Sequence, residues 1–578
     1  MPITVKALKK RISAARGEIP ANLVLKGGQV VNVFSGKIQK GDVAIYDGVI
    51  VGVGPVYHGK EEKDLAGKWI IPGLIDGHFH IESSMLLPRA LAAALLIHGT
   101  TTLVADPHEI ANVMGLPGIH LMLKESLGIP FDIFFMAPSC VPATHLETAG
   151  ATLSVSDLST LKEEPRILGL AEMMNYPGVL MGDEEVLEKI VFFSDQMIDG
   201  HCPSLSDHDL QAYITAGIRS DHEATSLQEA LEKLENGMML MIREGTSAKD
   251  LKDLLPLIND KNSRRCCFVS DDLHAEDIQQ RGHLDFMVRE AIRLGLDPVT
   301  AVQLVTRNPA EYFNQRDRGA IAPGYRADMV ILDNLNRFEV TSVYKDGRLV
   351  VDHGVLDDAT VAWQKAASIE SKPLNIAPLS PESMRIPVSG NKARVIDLVP
   401  GQLITHERYE DVKSKNGSVV SDIKSDILKL CVVERHHASG CIGLGLVSGF
   451  GLNMGAMASS VAHDSHNVIA VGVSDAEIFG AVEAVRCMDG GLAVVHGRET
   501  LAKIPLPIAG LMSKEPVETL VRQLRSLKKA VSRIGCNLQD PFMLLSFLAL
   551  AVIPELKLTD KGLVDVNRFE ILPLFVEQ

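Results

Sequence analysis

The 578-residue chain reads as an α/β protein: a (β/α)8 barrel of the TIM type, a small composite β-sandwich domain, and an additional C-terminal α+β domain. Three observations predict this. Eight apolar, strand-length runs alternate with helix-length stretches between residues 69 and 319, the pattern of parallel strands covered on both faces and able to close into a barrel. Short β-rich segments broken by glycine lie on both flanks of that region, which assigns 1–68 plus 320–365 to one sandwich. A Pro- and Ser-rich stretch, 366–390, then reads as a linker to a region, 391–578, long enough to be a domain.

The elements follow in order. The N-terminal text MPITVKALKKRISAARGEIPANL has no continuous apolar core, so it is not a secretory signal, and Leu8, Ile12 and Ala15 are spaced as a short amphipathic helix. From Asn22, NLVLKGGQVVNVFSG and DVAIYDGVIVGVG read as flanking strands, joined later by ADMVILD (327–333) and VTSVYKDGRLV (340–350). Between them come WIIPGLID, TTLVAD, DIFFMAP, RILGLAE, QMIDGH, GIRSDH, MMLMIRE and CCFVSDD, the eight barrel runs. Residues 436–462 carry no Asp, Glu, Lys or Arg, yet glycines at 443, 445, 449, 451 and 455 dilute them, so buried loop and strand is expected there and not a membrane helix.

Bulk properties exclude several classes. An apolar fraction of 46% fills sizeable cores and argues against disorder. A formal charge of −16 argues against a general nucleic-acid binder. Eight cysteines without a C-x-x-C pair imply no disulfide scaffold or zinc knuckle, and the expected compartment is the cytoplasm.

In such barrels the chemistry collects where the strands end at their C-terminal side. The first run ends in Asp76-Gly77-His78-Phe79-His80, the second in Asp106-Pro107-His108-Glu109, and the fourth in Glu172. Later runs end in His201, His222-Glu223, Arg243-Glu244 and Asp271-Asp272. His78 and His80, two apart on an extended strand, point to one face and can grip one ion. Joined by His201, His222 and Asp271 at the same rim, they form a candidate metal site whose nitrogen and oxygen donors accommodate Mn²⁺, Fe²⁺ or Zn²⁺.

HFHIESSM, DPHEIANVMG, GLAEMMNYPGV, DGHCP, MIREG and HDSHN, in this order, resemble the adenine deaminase family of the amidohydrolase superfamily, and the resemblance covers nearly the whole chain. It implies a binuclear divalent metal centre on His78, His80, Glu172, His201, His222 and Asp271, with manganese ahead of iron. Glu172 stands where many relatives carry a carbamylated lysine. The implied reaction is hydrolytic deamination of adenine to hypoxanthine and ammonia in purine salvage; the alternative is a cyclic amidase or another heterocycle deaminase using the same site. A small nucleobase substrate, no nucleic-acid or membrane partner, and a homodimer are expected.

Roles follow from the chemistry. Asp271 is the candidate proton shuttle between attacking water and departing nitrogen. Glu172 is either the bridging ligand or the acid that protonates the ring nitrogen. Glu223 is either a proton carrier or an exposed, salt-bridged glutamate. Asp272 either accepts from a purine N–H or caps the following helix, and Ser83 and Ser84 either contact substrate or begin the first crossover helix. Asp106 and His108 either steady the metal ligands or form a turn. Arg243 and Glu244 are expected to pair with each other beneath the rim. His463, in Ala462-His463-Asp464-Ser465-His466-Asn467, belongs either to a second metal site or dyad, or to a loop that closes the barrel mouth over substrate.

Overall fold

The computed structural model describes residues 3–54, 56–363, 374–399 and 402–576. Part of the linker expected at 366–390, residues 366–373, lies outside the described residues.

Eight parallel strands form the barrel: β1 (Leu74–Phe79), β2 (Thr100–Ala105), β3 (Asp132–Ala137), β4 (Ile167–Met173), β5 (Met197–Gly200), β6 (Ser220–Asp221), β7 (Met239–Arg243) and β8 (Cys266–Val269). β1 to β5 pair in sequence, as do β6 to β8. The two sets join where Arg219 N–H donates to the Ile198 carbonyl at 3.0 Å, and Asp271 N–H closes the ring onto the His78 carbonyl at 3.0 Å. Every residue of β1, β2, β7 and β8 is buried, which explains the unbroken apolar runs. Strand periodicity divides them: Val104, Met136, Ala171, Met241 and Cys267 pack together across the interior, while Leu103, Phe135, Leu170, Leu240 and Phe268 join the core beneath the helices.

Both flanks contribute to a single nine-stranded sheet. Trp69–Pro72 pairs antiparallel with Met329–Leu332, which stitches the leading strands to the trailing ones. The sheet curls around Leu25, Val43, Ile45, Ile70, Met329 and Ile331. The first run, WIIPGLID, therefore divides: Trp69–Pro72 belongs to this sheet and β1 begins at Leu74. Gly73 makes the junction, where a Cβ would lie 2.3 Å from Thr101 Oγ1. The amphipathic spacing at the N-terminus is a helix, Val5–Ala15, but Leu8 and Ile12 remain 46% and 50% exposed.

Beyond the linker, an eight-stranded sheet runs from Lys392 to Pro505, with the helices Asp475–Arg486 and Val517–Arg533 packed on it. The uncharged stretch folds into strands Ile442–Ser448 and Ala456–Ser459, and no helix among the described residues is long and apolar enough to cross a membrane. This region is bonded to the barrel's rim loops. Ser513 N–H donates to the Met85 carbonyl at 2.8 Å, Asn467 Nδ2 to the Thr148 carbonyl at 2.8 Å, and Ser465 Oγ to Glu147 Oε2 at 2.7 Å. Those bonds carry loop 462–467 to the barrel mouth.

Candidate metal centre and active site

The strand ends bring His78, His80, Glu172, His201, His222 and Asp271 into one buried cluster. Glu172, near the end of β4, lies at its centre and divides it in two. Its Oε1 is 3.3 Å from His80 Nε2 and 3.8 Å from His78 Nε2. Its Oε2 is 2.9 Å from His201 Nδ1 and 3.3 Å from His222 Nε2. Asp271 Oδ1 faces the first group, 3.4 Å from His78 Nε2 and 3.2 Å from His80 Nε2. The Asp106 carbonyl lies 3.3 Å from His80 Nδ1, which lets that nitrogen carry the ring proton and frees Nε2 to act as a ligand.

These residues fit a divalent cation. Nε2 of His78, which faces Glu172 and Asp271, is buried without a hydrogen-bond partner, an arrangement that buried polar atoms avoid unless something else satisfies them. The donor set is all imidazole and carboxylate. Electrostatics agree: burial pushes the Glu172 carboxyl up, but His222, His201 and His80 outweigh it and hold it well below the usual range. Burial is likewise overcome at Asp271 by His78, His80, His222 and Arg243. Against its own burial, His222 is pushed up to about 9 by Glu172, Asp271 and Glu223.

Neighbouring side chains depart from several expectations. Arg243 does not pair with Glu244, whose carboxylate faces Arg281 at 3.8 Å. Its guanidinium instead grips Glu223 with both Nη atoms, Asp271 Oδ2 at 3.0 Å and Asp250 Oδ2 at 2.9 Å. Glu223 is correspondingly not an exposed glutamate; it is 7% exposed and its Oε1 lies 3.6 Å from His201 and 3.5 Å from His222. Asp272 does not cap a helix, since the helix Ala275–Arg281 starts from His274; its Oδ1 takes the Ser83 hydroxyl, which also lies 2.9 Å from Glu109 Oε1. Neither serine starts the first crossover helix, Pro88–Leu96, whose N-cap is Leu87. Ser84 folds back onto the Ile81 carbonyl.

His108 is held by Asp106 Oδ2 at 3.0 Å and lies 3.7 Å from both Glu172 Oε1 and Asp464 Oδ1, so it belongs to the site and is more than a turn residue. From the C-terminal region, His463 stacks on Phe547 with ring centroids 4.4 Å apart, and its Nδ1 is 3.5 Å from Asp464 Oδ1. His466 faces Glu109 at 3.7 Å. Because its Nδ1 accepts the Ala462 N–H, the ring proton resides on Nε2, and burial beside His463 and Arg435 keeps the ring neutral. Glu109, His463 and His466 form a further buried group whose ligand atoms lie within 4.8 Å of one another, and Glu109 Oε2, His463 Nε2 and His466 Nε2 are without hydrogen-bond partners.

A cavity of about 30 Å³ lies over the cluster, floored by His80, Glu172 and Asp271 and roofed by Leu403, His463 and Phe547. Asp272 lines it as well, whereas Ser83 stands behind Asp272. A larger cavity of about 680 Å³ adjoins it and shares Glu223, Arg243, Leu403 and Ile553. Arg243 was visible at a strand end but its partners are tertiary, and the apolar roof of Leu403, Phe547, Leu550 and Ile553 carries no motif.

Comparison with known proteins bears on the whole arrangement. Residues 402–570 match the adenine deaminase C-terminal domain family, and residues 69–350 the amidohydrolase family. The chain is 52% identical to an adenine deaminase of Desulfatibacillum aliphaticivorans over 98% of its length and 99% of the relative's. It is 46% identical to an adenine deaminase 2 of Carboxydothermus hydrogenoformans over 99% and 100% of the two chains, and 47% identical to an adenine deaminase of Methanothrix thermoacetophila over 98% and 99%. With a parallel barrel, a buried cluster of imidazoles and carboxylates at its rim, and matches that span both the barrel and the C-terminal region, the chain belongs to the adenine deaminase family.

Proposed function

We infer that the protein hydrolyses adenine to hypoxanthine and ammonia at a pair of divalent cations held by His78, His80, Glu172, His201, His222 and Asp271. One observation carries the reading: the two oxygens of Glu172 face two separate groups of ligands, as a bridging carboxylate requires. When bound, the cations supply activation of water at neutral pH. Asp271 would carry a proton between the attacking water and the departing amino nitrogen on the lone pair of Oδ2 that does not accept from Arg243. Glu172, with both oxygens engaged, serves as a ligand and not as the acid. Glu223 is kept ionised by Arg243 against its burial, so it balances charge. Asp272 and His463 line the small cavity over the cluster and would serve as acceptor and donor for the ring of a base that reaches in from the adjoining cavity of about 680 Å³, with Ser83 orienting Asp272. Leu403 and Phe547 exclude water.

In this reading manganese is the resident metal, with iron or zinc accommodated by the donors; the protein is a cytoplasmic homodimer that serves purine salvage. The test uses protein produced in manganese-supplemented, iron-depleted medium and measures metal content together with ammonia release from adenine, other free bases, nucleosides and cyclic amides. Adenine is expected to be the preferred substrate. Chelation should abolish turnover and manganese restore it; full activity of the metal-free protein, or preference for a cyclic amide, would overturn the assignment.

A further inference from the structure

We propose that Arg243 is a positioning residue that confines Asp271 to ligation through a single oxygen. The inference rests on the metal-centre reading above and concerns how that centre keeps room for its reactants.

Arg243 closes β7, is 4% exposed, and has a carboxylate on every edge of its guanidinium. Nε donates to Asp250 Oδ2 at 2.9 Å, Nη2 to Glu223 Oε2 at 3.0 Å, and Nη1 to Glu223 Oε1 and, at 3.0 Å, to Asp271 Oδ2. A guanidinium is planar and its N–H directions are fixed, so anchoring two edges on Glu223 and Asp250 determines where Nη1 points. Asp271 is fixed from its own side too: its N–H is bonded to the His78 carbonyl at 3.0 Å and its backbone holds a φ of 56°. Two side-chain torsions are left, a staggered χ1 and the rotation of the carboxylate about its last bond, which is broad and roughly two-fold. Arg243 arrests that rotation. Oδ2 is held by the guanidinium through one lone pair and Oδ1 alone is presented to His78 and His80.

The consequence is chemical. Carboxylates bind cations with one oxygen or with two, and a catalytic centre must keep a coordination position open for its reactants. If released, Asp271 would swing its second oxygen onto the same cation and fill the place that water or the base requires. Glu223, beside His201 and His222, ties the same guanidinium to the other half of the cluster, so one side chain governs both groups.

Cobalt reconstitution of the full chain tests this, because the visible bands of Co²⁺ weaken as coordination number rises. Arg243→Lys keeps the charge but cannot hold two carboxylates in fixed directions; Arg243→Met removes both. The expected result for either is cobalt bound at the wild-type stoichiometry with weaker bands, kcat lower by about 10- to 100-fold, and KM within about threefold of wild type. Where Arg243→Met fails to accumulate, Arg243→Lys decides. A wild-type spectrum in the lysine variant, or loss of its cobalt, overturns the proposal. Absence of bound cobalt from the wild-type protein would instead sink the metal-centre reading itself, so the two failures are distinguishable.

Discussion

Lys557 offers a stability experiment whose size and sign follow from its surroundings. It lies on the buried strand Leu556–Thr559 with no exposure, and its Nζ donates to the carbonyl of Leu403, at 2.9 Å, a residue that lines the cavity over the histidine cluster. Burial pushes its ammonium from 10.5 down to about 7. The folded-state value is lower than the unfolded one, so between about pH 7 and 10.5 the unfolded chain binds more protons and stability rises with pH. Below about pH 7 both states are protonated and the folded protein carries the full penalty, which at about 1.4 kcal/mol per pH unit approaches ~5 kcal/mol. Replacing Lys557 with Met keeps the apolar stem and removes the ammonium, but orphans the Leu403 carbonyl at a cost of ~1–3 kcal/mol. The expected outcome is a variant more stable than wild type by ~2–4 kcal/mol near pH 6 and less stable by ~1–3 kcal/mol near pH 10.5. Calorimetric melts of both proteins across that range read the crossover directly. A variant whose melting temperature differs from wild type by the same amount at every pH would refute the account, since a packing defect alone has no proton dependence.

Other expectations concern the site and the barrel's entry. Glu172→Gln replaces the carboxylate shared by both histidine groups with a neutral amide and should lower metal content and cut turnover by more than ~100-fold; a fully metallated, active variant would contradict bridging. His463→Ala deletes the ring stacked on Phe547 and is expected to raise KM for adenine by about tenfold, equivalent to ~1.4 kcal/mol, with metal content intact. Unchanged KM and turnover would remove His463 from the site. Gly73→Ala forces a methyl to within 2.3 Å of Thr101 Oγ1 and should destabilise by ~1–3 kcal/mol, read as a lower melting temperature with no change in metal stoichiometry; melting at the wild-type temperature would show that the junction has slack.

The contrast between Glu172 and Arg243 explains what a one-dimensional reading could reach. Glu172, His201, His222 and Asp271 each stand at or beside a strand end, so the regular architecture of a parallel barrel converts their places in the chain into convergence at one rim. Nothing more than strand counting is needed to bring them together. The partners of Arg243 obey no such rule. Its position at the end of β7 is periodic, but whether it turns toward Glu244 beside it or toward Glu223, Asp250 and Asp271 depends on side-chain directions around the ring, which alternate strand by strand and shift with register. Adjacency in sequence suggested the wrong partner because successive strand residues face opposite sides. The WIIPGLID run misled for a related reason: its apolar text is continuous across Gly73, whereas the division between sheet and barrel comes from a contact with Thr101 on another strand. The roof is harder still. Leu403 and Phe547 look like any core residues, and their place beside His80, Glu172 and Asp271 comes from packing between domains, with Phe547 stacked on His463. Ligands set by strand ends are therefore legible wherever the architecture is regular, and groups that orient those ligands become legible only when the packing between strands and domains is known.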